Sequence, residues 1–202
     1  MLIDDARVYK HVKWTLSLLL MLVPSLSVGQ TFTNVINSPP DEVPEFLASD
    51  SQLNLGPGAL LPWGYVIGTN DVPATNVQVN VLGGEMQYGT RVGFGGELNI
   101  IDGANSAGGI SVFDQGVVNI EGGVVNGSVS AYSQGAINIS GGNLDSFRAS
   151  GDSVVTLSGG MVGLNSGVSS NGHLIVHGGD FRIDGVPVEG LGLPGSSVEF
   201  ES

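Results

Sequence analysis

Apolar and polar residues alternate in six short segments of the chain, and each segment ends in a glycine-rich pair. In Val118-Asn119-Ile120-Glu121-Gly122-Gly123 an asparagine separates the two apolar residues, and similar phrases begin at residues 79, 98, 137, 155 and 174. Alternation with a period of two places Val118 and Ile120 on one face of a β-strand and Asn119 on the other. A helix would need apolar residues at intervals of three and four, which no window offers. The pattern therefore predicts short, half-buried strands.

The glycine pairs recur at a nearly constant interval. Their first position falls at residues 83, 102, 122, 141, 159 and 178, so the interval is 18 to 20 residues. Self-similarity of this kind indicates a solenoid. A single repeat cannot fold alone, because ordering each residue costs about 1–2 kcal/mol and few apolar side chains are buried per repeat. We predict an all-β, single-stranded parallel β-helix of about six coils of roughly 19 residues. Its winding is predicted to be right-handed, because the hexapeptide pattern of left-handed helices is absent.

Other positions recur in each period. The second residue after each glycine pair is apolar, with Asn105 as the polar exception. A glycine, replaced once by Ser153, stands two residues before the main strands, and the residue four positions before it is apolar. The residue six positions before it is also apolar, except at Thr90 and Ser166. Each period is thus expected to hold three short strands separated by glycine corners, where glycine adopts φ > 0 without steric cost.

Residues 1–29 have the three parts of a secretory signal peptide. Basic residues precede position 14, an apolar run covers 14–23, and small residues stand at 25, 27 and 29. The apolar run is shorter than the roughly 20 residues that span a bilayer. We predict cleavage after Gly29, with Ser27 as the second choice and an uncleaved anchor as the alternative. The protein is therefore expected to be secreted or at the cell surface, with no integral membrane span after cleavage.

The rest of the chain divides into three parts. Residues 30–76 are acidic and rich in proline, and Leu53-Asn54-Leu55 resembles a repeat strand, so we predict an N-terminal cap and partial first coil. Trp63 and Tyr65 are expected to cover the first coil, a small ligand platform being the alternative. The β-helix repeats occupy 77–186, and 187–202 form a C-terminal closing segment and tail.

Charge and composition exclude several classes of function. The chain carries a formal net charge of −13, and after residue 29 it has three arginines and no lysine. Such a surface cannot neutralise phosphates, which argues against nucleic-acid binding. The 33 glycines follow no collagen period, and the absence of cysteine excludes disulfides and thiolate metal sites.

One polar column is a candidate surface. Stacking is expected to align Asn80, Asn99, Asn119, Asn138 and Thr156 in a ladder on one face, followed by Ile175. Its amides can hydrogen-bond along the stack as a structural ladder, which is the favoured interpretation. Alternatively, the ladder is a flat surface for a polymer.

No residue pattern points to catalysis, a metal or a cofactor. His173 and His177 lack a third ligand nearby in sequence, and the glycine pairs lack the aspartate of the calcium-binding nonapeptide. Four aspartates offer carboxylates of the type that glycosidases pair, but they share no column. These are Asp114, Asp145, Asp152 and Asp184.

Several segments together resemble a known group of proteins. They are Thr33–Pro40, Ser51–Leu55, Thr75–Gly84, the Val/Ile-Asn-Ile-x-Gly-Gly repeats and Phe181–Leu191. The chain resembles the secreted glycine-rich repeat proteins of planctomycete-type bacteria and is more distantly similar to autotransporter-type passenger β-helices. The resemblance implies surface exposure or adhesion and transfers no catalytic residue.

The sequence thus predicts an exported, non-catalytic β-solenoid with a structural, adhesive or surface-binding role. Extracellular polysaccharide or cell-surface components are the expected partners, and no cofactor is expected. The alternative is a polysaccharide-active enzyme, either a hydrolase or a lyase, of the parallel β-helix type.

Overall fold

A computed structural model of the 202-residue chain describes residues 30–69, 74–163 and 165–178, together with the backbone of 182–183 and 186–187. The predicted signal peptide lies outside these residues, as do Asp184 and nearly all of the predicted closing segment. The described residues contain β-strands and no helix.

The strands are short and follow one another closely. In chain order they are β1 (Asn34–Ser38), β2 (Ser51–Leu55), β3 (Leu60–Leu61), β4 (Val66–Ile67), β5 (Val77–Val81), β6 (Glu85–Met86), β7 (Thr90–Val92), β8 (Gly96–Ile100), β9 (Asn105–Ser106), β10 (Ile110–Val112), β11 (Val117–Ile120), β12 (Val124–Ala131), β13 (Ala136–Ile139), β14 (Asn143–Ala149), β15 (Val154–Leu157), β16 (Met161–Val162), β17 (Gly167–Val168), β18 (His173–Val176), β19 (Arg182–Ile183) and β20 (Val186–Pro187).

Two parallel sheets run the length of the stack. The first has eight strands in the order β1-β2-β5-β8-β11-β13-β15-β18, so each turn of the chain adds one strand. The second has ten strands and receives two short strands from most turns, which fuse into one long strand in β12 and in β14. The predicted parallel β-solenoid is confirmed. It has about seven turns, because β2, β3 and β4 form a complete turn ahead of the six glycine-paired repeats.

The predicted alternation sets what the solenoid buries. Val118 and Ile120 are fully buried, whereas Asn119 between them faces outward and is half-buried. The same inward positions in successive turns form one continuous apolar core. Its fully buried members from the first sheet include Leu53, Leu55, Val79, Val81, Leu98, Ile100, Ile137, Ile139 and Val155. Each turn therefore depends on its neighbours for burial, as expected of a solenoid.

The glycine before each main strand packs against a backbone carbonyl of the preceding turn. A Cβ on Gly116 would lie 2.5 Å from the Val92 oxygen, and one on Gly135 would lie 2.8 Å from the Val112 oxygen. Ser153 occupies the equivalent position, and its hydroxyl donates a 3.1 Å hydrogen bond to the Ala131 carbonyl. The serine thus replaces a steric conflict with a polar contact.

In the column of apolar residues that follows the glycine pairs, the structure places Ser106 where the sequence spacing placed Asn105. Ser106, and not Asn105, pairs with Met86 on one side and Val125 on the other, and Ser106 is fully buried. The corner after Ile100 is one residue longer than its neighbours, which shifts the register by one and turns Asn105 outward. The Ser106 hydroxyl is satisfied by donating a 3.0 Å hydrogen bond to the Gly108 carbonyl.

Candidate binding groove

The predicted polar ladder is a continuous chain of amide hydrogen bonds. Each asparagine donates from Nδ2 to the Oδ1 of the asparagine one turn earlier, over distances of 2.7 to 2.9 Å. The six members are Asn37, Asn54, Asn80, Asn99, Asn119 and Asn138. Thr156 and Ile175 follow in register. Because each interior amide both donates and accepts, the row satisfies itself and stabilises the stack.

The predicted ladder began at Asn80 and did not include Asn37 or Asn54. Asn37 and Asn54 lie in strands that no glycine pair follows, so the six-residue phrase does not include them. The available signal was the alternation itself, since Leu53-Asn54-Leu55 has the same form as Val79-Asn80-Val81.

The acidic and histidine candidates do not converge. Asp114, Asp145 and Asp152 are exposed, as are His173 and His177. No group of three or more metal-ligating side chains occurs within residues 30–69, 74–163 and 165–178. Asp102 and Glu121 do line one shallow depression at the glycine corners, beside Asn126.

A second concavity, the aromatic groove, lies on the second sheet and was not predicted. It encloses about 640 Å³ and crosses four turns of the stack. Its lining comprises Trp63, Gly64, Tyr88, Gly89, Arg91, Ala107, Gly108, Gly109, Ser111, Asn126, Gly127, Ser128, Ser130 and Tyr132. None of these residues is acidic, so the groove offers rings, hydroxyls, an amide and a guanidinium but no carboxylate.

The structure separates the two aromatic residues that the sequence paired. Tyr65 is buried inside the turn, whereas Trp63 is 73% exposed in the aromatic groove. Residues two apart on a continuous strand would share a face, and the turn at Gly64, where φ is +69°, breaks this alternation between Trp63 and Tyr65. Trp63 has an exposed neighbour one turn on, Tyr88, which is 63% exposed.

Glycines in the next turn make room for these rings. A Cβ on Gly108 would lie 2.2 Å from Cδ2 of Tyr88, so any side chain there would displace the tyrosine ring. A Cβ on Gly89 would lie 3.8 Å from Nε1 of Trp63. The Trp63 backbone is held by a 2.9 Å hydrogen bond from its N–H to Oε1 of Gln87. The two rings therefore lie over a floor of backbone.

The opposite side of the groove is also aromatic. The Tyr132 ring stacks on Phe113 of the preceding turn, with ring centroids 5.2 Å apart and planes 13° apart. Between the aromatic walls, the Ser128 and Ser130 hydroxyls lie 3.3 Å from each other. On the far rim, Asn126 donates a 3.2 Å hydrogen bond to Oδ1 of Asn105. Offset stacking of this kind holds the Tyr132 ring in one orientation.

Known proteins give no indication of what this protein does. No family model, curated protein or solved structure matches the chain. The resemblance to planctomycete-type repeat proteins and to passenger β-helices stays a prediction. In the part of the chain that the structure describes, no helix is long and apolar enough to cross a membrane.

Proposed function

We propose that the protein is an exported, non-catalytic β-solenoid that acts outside the cytoplasm as a structural, adhesive or surface-binding protein. We propose further that its aromatic groove holds an extracellular polysaccharide. The observation that carries the proposal is the adjacent pair of exposed rings, Trp63 and Tyr88, over a glycine floor. Both rings lie at turns that follow paired strands of the stack, and exposed Trp and Tyr side chains supply a large contact area at a low cost in conformational entropy.

The form of the groove favours a long, hydroxyl-rich ligand. It crosses four turns, and parallel strands lie about 4.8 Å apart, so it extends about 14 Å along the stack. The apolar faces of pyranose rings can stack on Trp63 and Tyr88. Serine hydroxyls and the Asn126 amide can both donate and accept hydrogen bonds, as sugar hydroxyls require.

The alternative of a polysaccharide-active enzyme rests on Asp102 and Glu121. Both line the depression beside Asn126, and Asn126 also lines the aromatic groove. Glycoside hydrolysis requires two carboxyl groups about 5–9.5 Å apart across the bond that is cleaved. If these two acids act on a chain bound in the groove, Asp102→Asn and Glu121→Gln must each abolish product formation.

The test is binding of the purified protein to a panel of neutral and acidic polysaccharides. Binding is measured by affinity electrophoresis. We expect Trp63→Ala and Tyr88→Ala each to weaken binding about tenfold or more. For comparison, stacking of a nucleic-acid base on an aromatic side chain contributes about 1–3 kcal/mol to binding. Phe46→Ala is the matched control, because Phe46 is also 73% exposed but lies outside the groove.

Two results would overturn the proposal. One is that no polysaccharide binds, and the other is that Trp63→Ala and Tyr88→Ala bind as the parent does. Assays for reducing ends and unsaturated products on the same samples test the non-catalytic role, and sustained product formation would establish the enzyme instead. Export is tested by N-terminal sequencing of protein released from cells, which we expect to begin at Gln30.

A further inference from the structure

We infer that the aromatic groove selects acidic polysaccharides, namely pyranose chains that carry carboxylate or sulfate groups, through Arg91 and Arg148. This inference rests on the proposed function and specifies its ligand. It is carried by an arginine row, defined as Arg91, Ser111, Ser130 and Arg148, that runs along the floor of the groove and one turn beyond it.

Strand register places the four residues of the arginine row in successive turns. Arg91 pairs with Ser111, Ser111 with Ser130, and Ser130 with Arg148. The first three residues line the groove, and Arg148 continues the row at its end. With parallel strands about 4.8 Å apart, the backbones of the two arginines are separated by about 14 Å.

The side chains of Arg91 and Arg148 are unpaired in the part of the chain that the structure describes. Both side chains are exposed, and neither forms an ion pair or a hydrogen bond with any described residue. Asp145 lies near the row, one turn beyond Asn126, and it too makes no ion pair. The two guanidinium groups are therefore available to a ligand.

The two arginines are rare positive charges in an acidic chain, and they lie in the same row. Between residues 30 and 178, Arg91 and Arg148 are the only arginine or lysine residues, in a protein of net charge −13. Both stand in one row of one sheet, with Arg91 in the aromatic groove and Arg148 one turn beyond it. Acidic groups elsewhere on the surface are screened beyond about 8 Å at physiological ionic strength, so local attraction to an anion can prevail.

Arginine is suited to this task. Its planar guanidinium can pair with a carboxylate through two parallel hydrogen bonds, and charge-assisted bonds of this type are roughly twice as strong as neutral ones. Trp63 and Tyr88 can stack on sugar faces of any polysaccharide, whereas the two arginines distinguish chains that carry regularly spaced anions. The serines between them offer hydroxyls to the intervening sugar.

The experiment measures binding of the full-length secreted protein to three polymers at low, physiological and high salt. The polymers are a polyuronate, a sulfated polysaccharide and a neutral polysaccharide. We expect Arg91→Gln and Arg148→Gln each to weaken binding of the polyuronate, the sulfated polymer or both by about tenfold at low salt. Binding to the neutral polymer should not change. Phe46→Glu is the matched control, since it lowers the net charge by one unit at an exposed position outside the groove.

The outcomes separate this inference from the proposed function. A response confined to the polyuronate identifies a carboxylate as the ligand group, and one confined to the sulfated polymer identifies a sulfate. Equal binding of all three polymers, unaffected by either arginine variant, would overturn the inference and leave the proposed function standing. Absence of binding to every polymer would overturn both. Melting temperatures of the variants should match the parent, because both arginines are exposed.

Discussion

The amide of Asn99 donates a 2.8 Å hydrogen bond to Oδ1 of Asn80, one turn earlier in the stack. Asn99 in turn accepts a 2.7 Å bond from Nδ2 of Asn119. Asn99 is only 9% exposed, so these two bonds meet at the most buried asparagine of the ladder. Hydrogen bonds of this kind polarise one another, and leaving one of them unmade is correspondingly costly.

Asn99→Asp tests the amide ladder. A carboxylate cannot donate, so Oδ1 of Asn80 loses its donor and faces a second oxygen. We expect the free energy of unfolding at pH 7, measured by urea denaturation, to fall by about 1–3 kcal/mol. Because repulsion and desolvation raise the pKa of a carboxyl in this position, its protonated form persists to higher pH in the folded state than in the unfolded state. The variant should therefore gain stability on acidification relative to the parent.

Asn138→Asp is the control for this ladder prediction. Asn138 donates to Asn119 at 2.8 Å, but it is exposed and is the last asparagine of the ladder. We expect a smaller loss of stability than for Asn99→Asp. Equal losses of stability at both positions would mean that a buried amide of the ladder contributes no more than an exposed one.

The repeat could be predicted because one physical requirement recurs in every turn. Val118 and Ile120 must face a shared core, and this requirement appears in the sequence as alternation. The turn that begins at Ser51 was only partly recognised, because 26 residues separate Asn54 from its partner Asn80 and the usual period is broken. The alternation of apolar and polar residues does not show how many residues a corner contains. This explains why the sequence spacing placed Asn105, and not Ser106, in the column that follows the glycine pairs.

The aromatic groove could not be predicted, because its residues come from different turns. Trp63 and Tyr88 lie 25 residues apart and become neighbours only through the pairing of β3 with β6. The space for the Tyr88 ring is created by a missing side chain at Gly108. A sequence rich in glycine shows many such positions, and nothing in its periodicity distinguishes the one that a ring covers.

Ile120→Asp tests the continuity of the core. The isoleucine is fully buried, and an aspartate there would be an unpaired charge without solvent. We expect the whole stack to lose its cooperative thermal transition, as followed by circular dichroism. Ala136→Asp is the control, because Ala136 faces outward on the next strand, and it should change stability by less than about 1 kcal/mol. A parental melting temperature for Ile120→Asp would contradict the inward assignment.

Gly116→Ala tests the contact between a corner glycine and the preceding turn. The new Cβ would lie 2.5 Å from the Val92 carbonyl oxygen, so two turns must move apart. We expect a loss of about 1–3 kcal/mol in the free energy of unfolding, the usual cost of overpacking. Gly167→Ala is the matched control, because a Cβ there meets nothing within 4 Å and φ is not in the left-handed region. It should be neutral or stabilising, since alanine restricts the unfolded chain. Equal effects at both positions would rule out the carbonyl contact as the cause.

Tyr65→Phe tests a buried hydroxyl that forms no hydrogen bond with any residue that the structure describes. The hydroxyl groups of Tyr65 and Thr90 are both buried without a hydrogen bond. The two residues occupy corresponding positions in adjacent turns, since Val66 pairs with Arg91. Removing the Tyr65 hydroxyl should raise the free energy of unfolding at pH 7 by up to about 1–3 kcal/mol, because it removes an unsatisfied polar group. A loss of stability would show that the hydroxyl is satisfied in solution.

The same variant has a signature at high pH. Burial raises the pKa of Tyr65 from 10.0 to about 12 in the folded protein, so the unfolded chain loses this proton first. Below pH 10 the phenol is neutral in both states and ionisation of Tyr65 costs no stability. As the pH rises from 10 towards 12, ionisation in the unfolded chain lowers the free energy of unfolding. Urea denaturation across this range should show a steeper decline for the parent than for Tyr65→Phe. Tyr88→Phe should decline as the parent does, because Tyr88 is 63% exposed. If Tyr65→Phe follows the parent curve, the buried phenol does not contribute to the alkaline loss of stability.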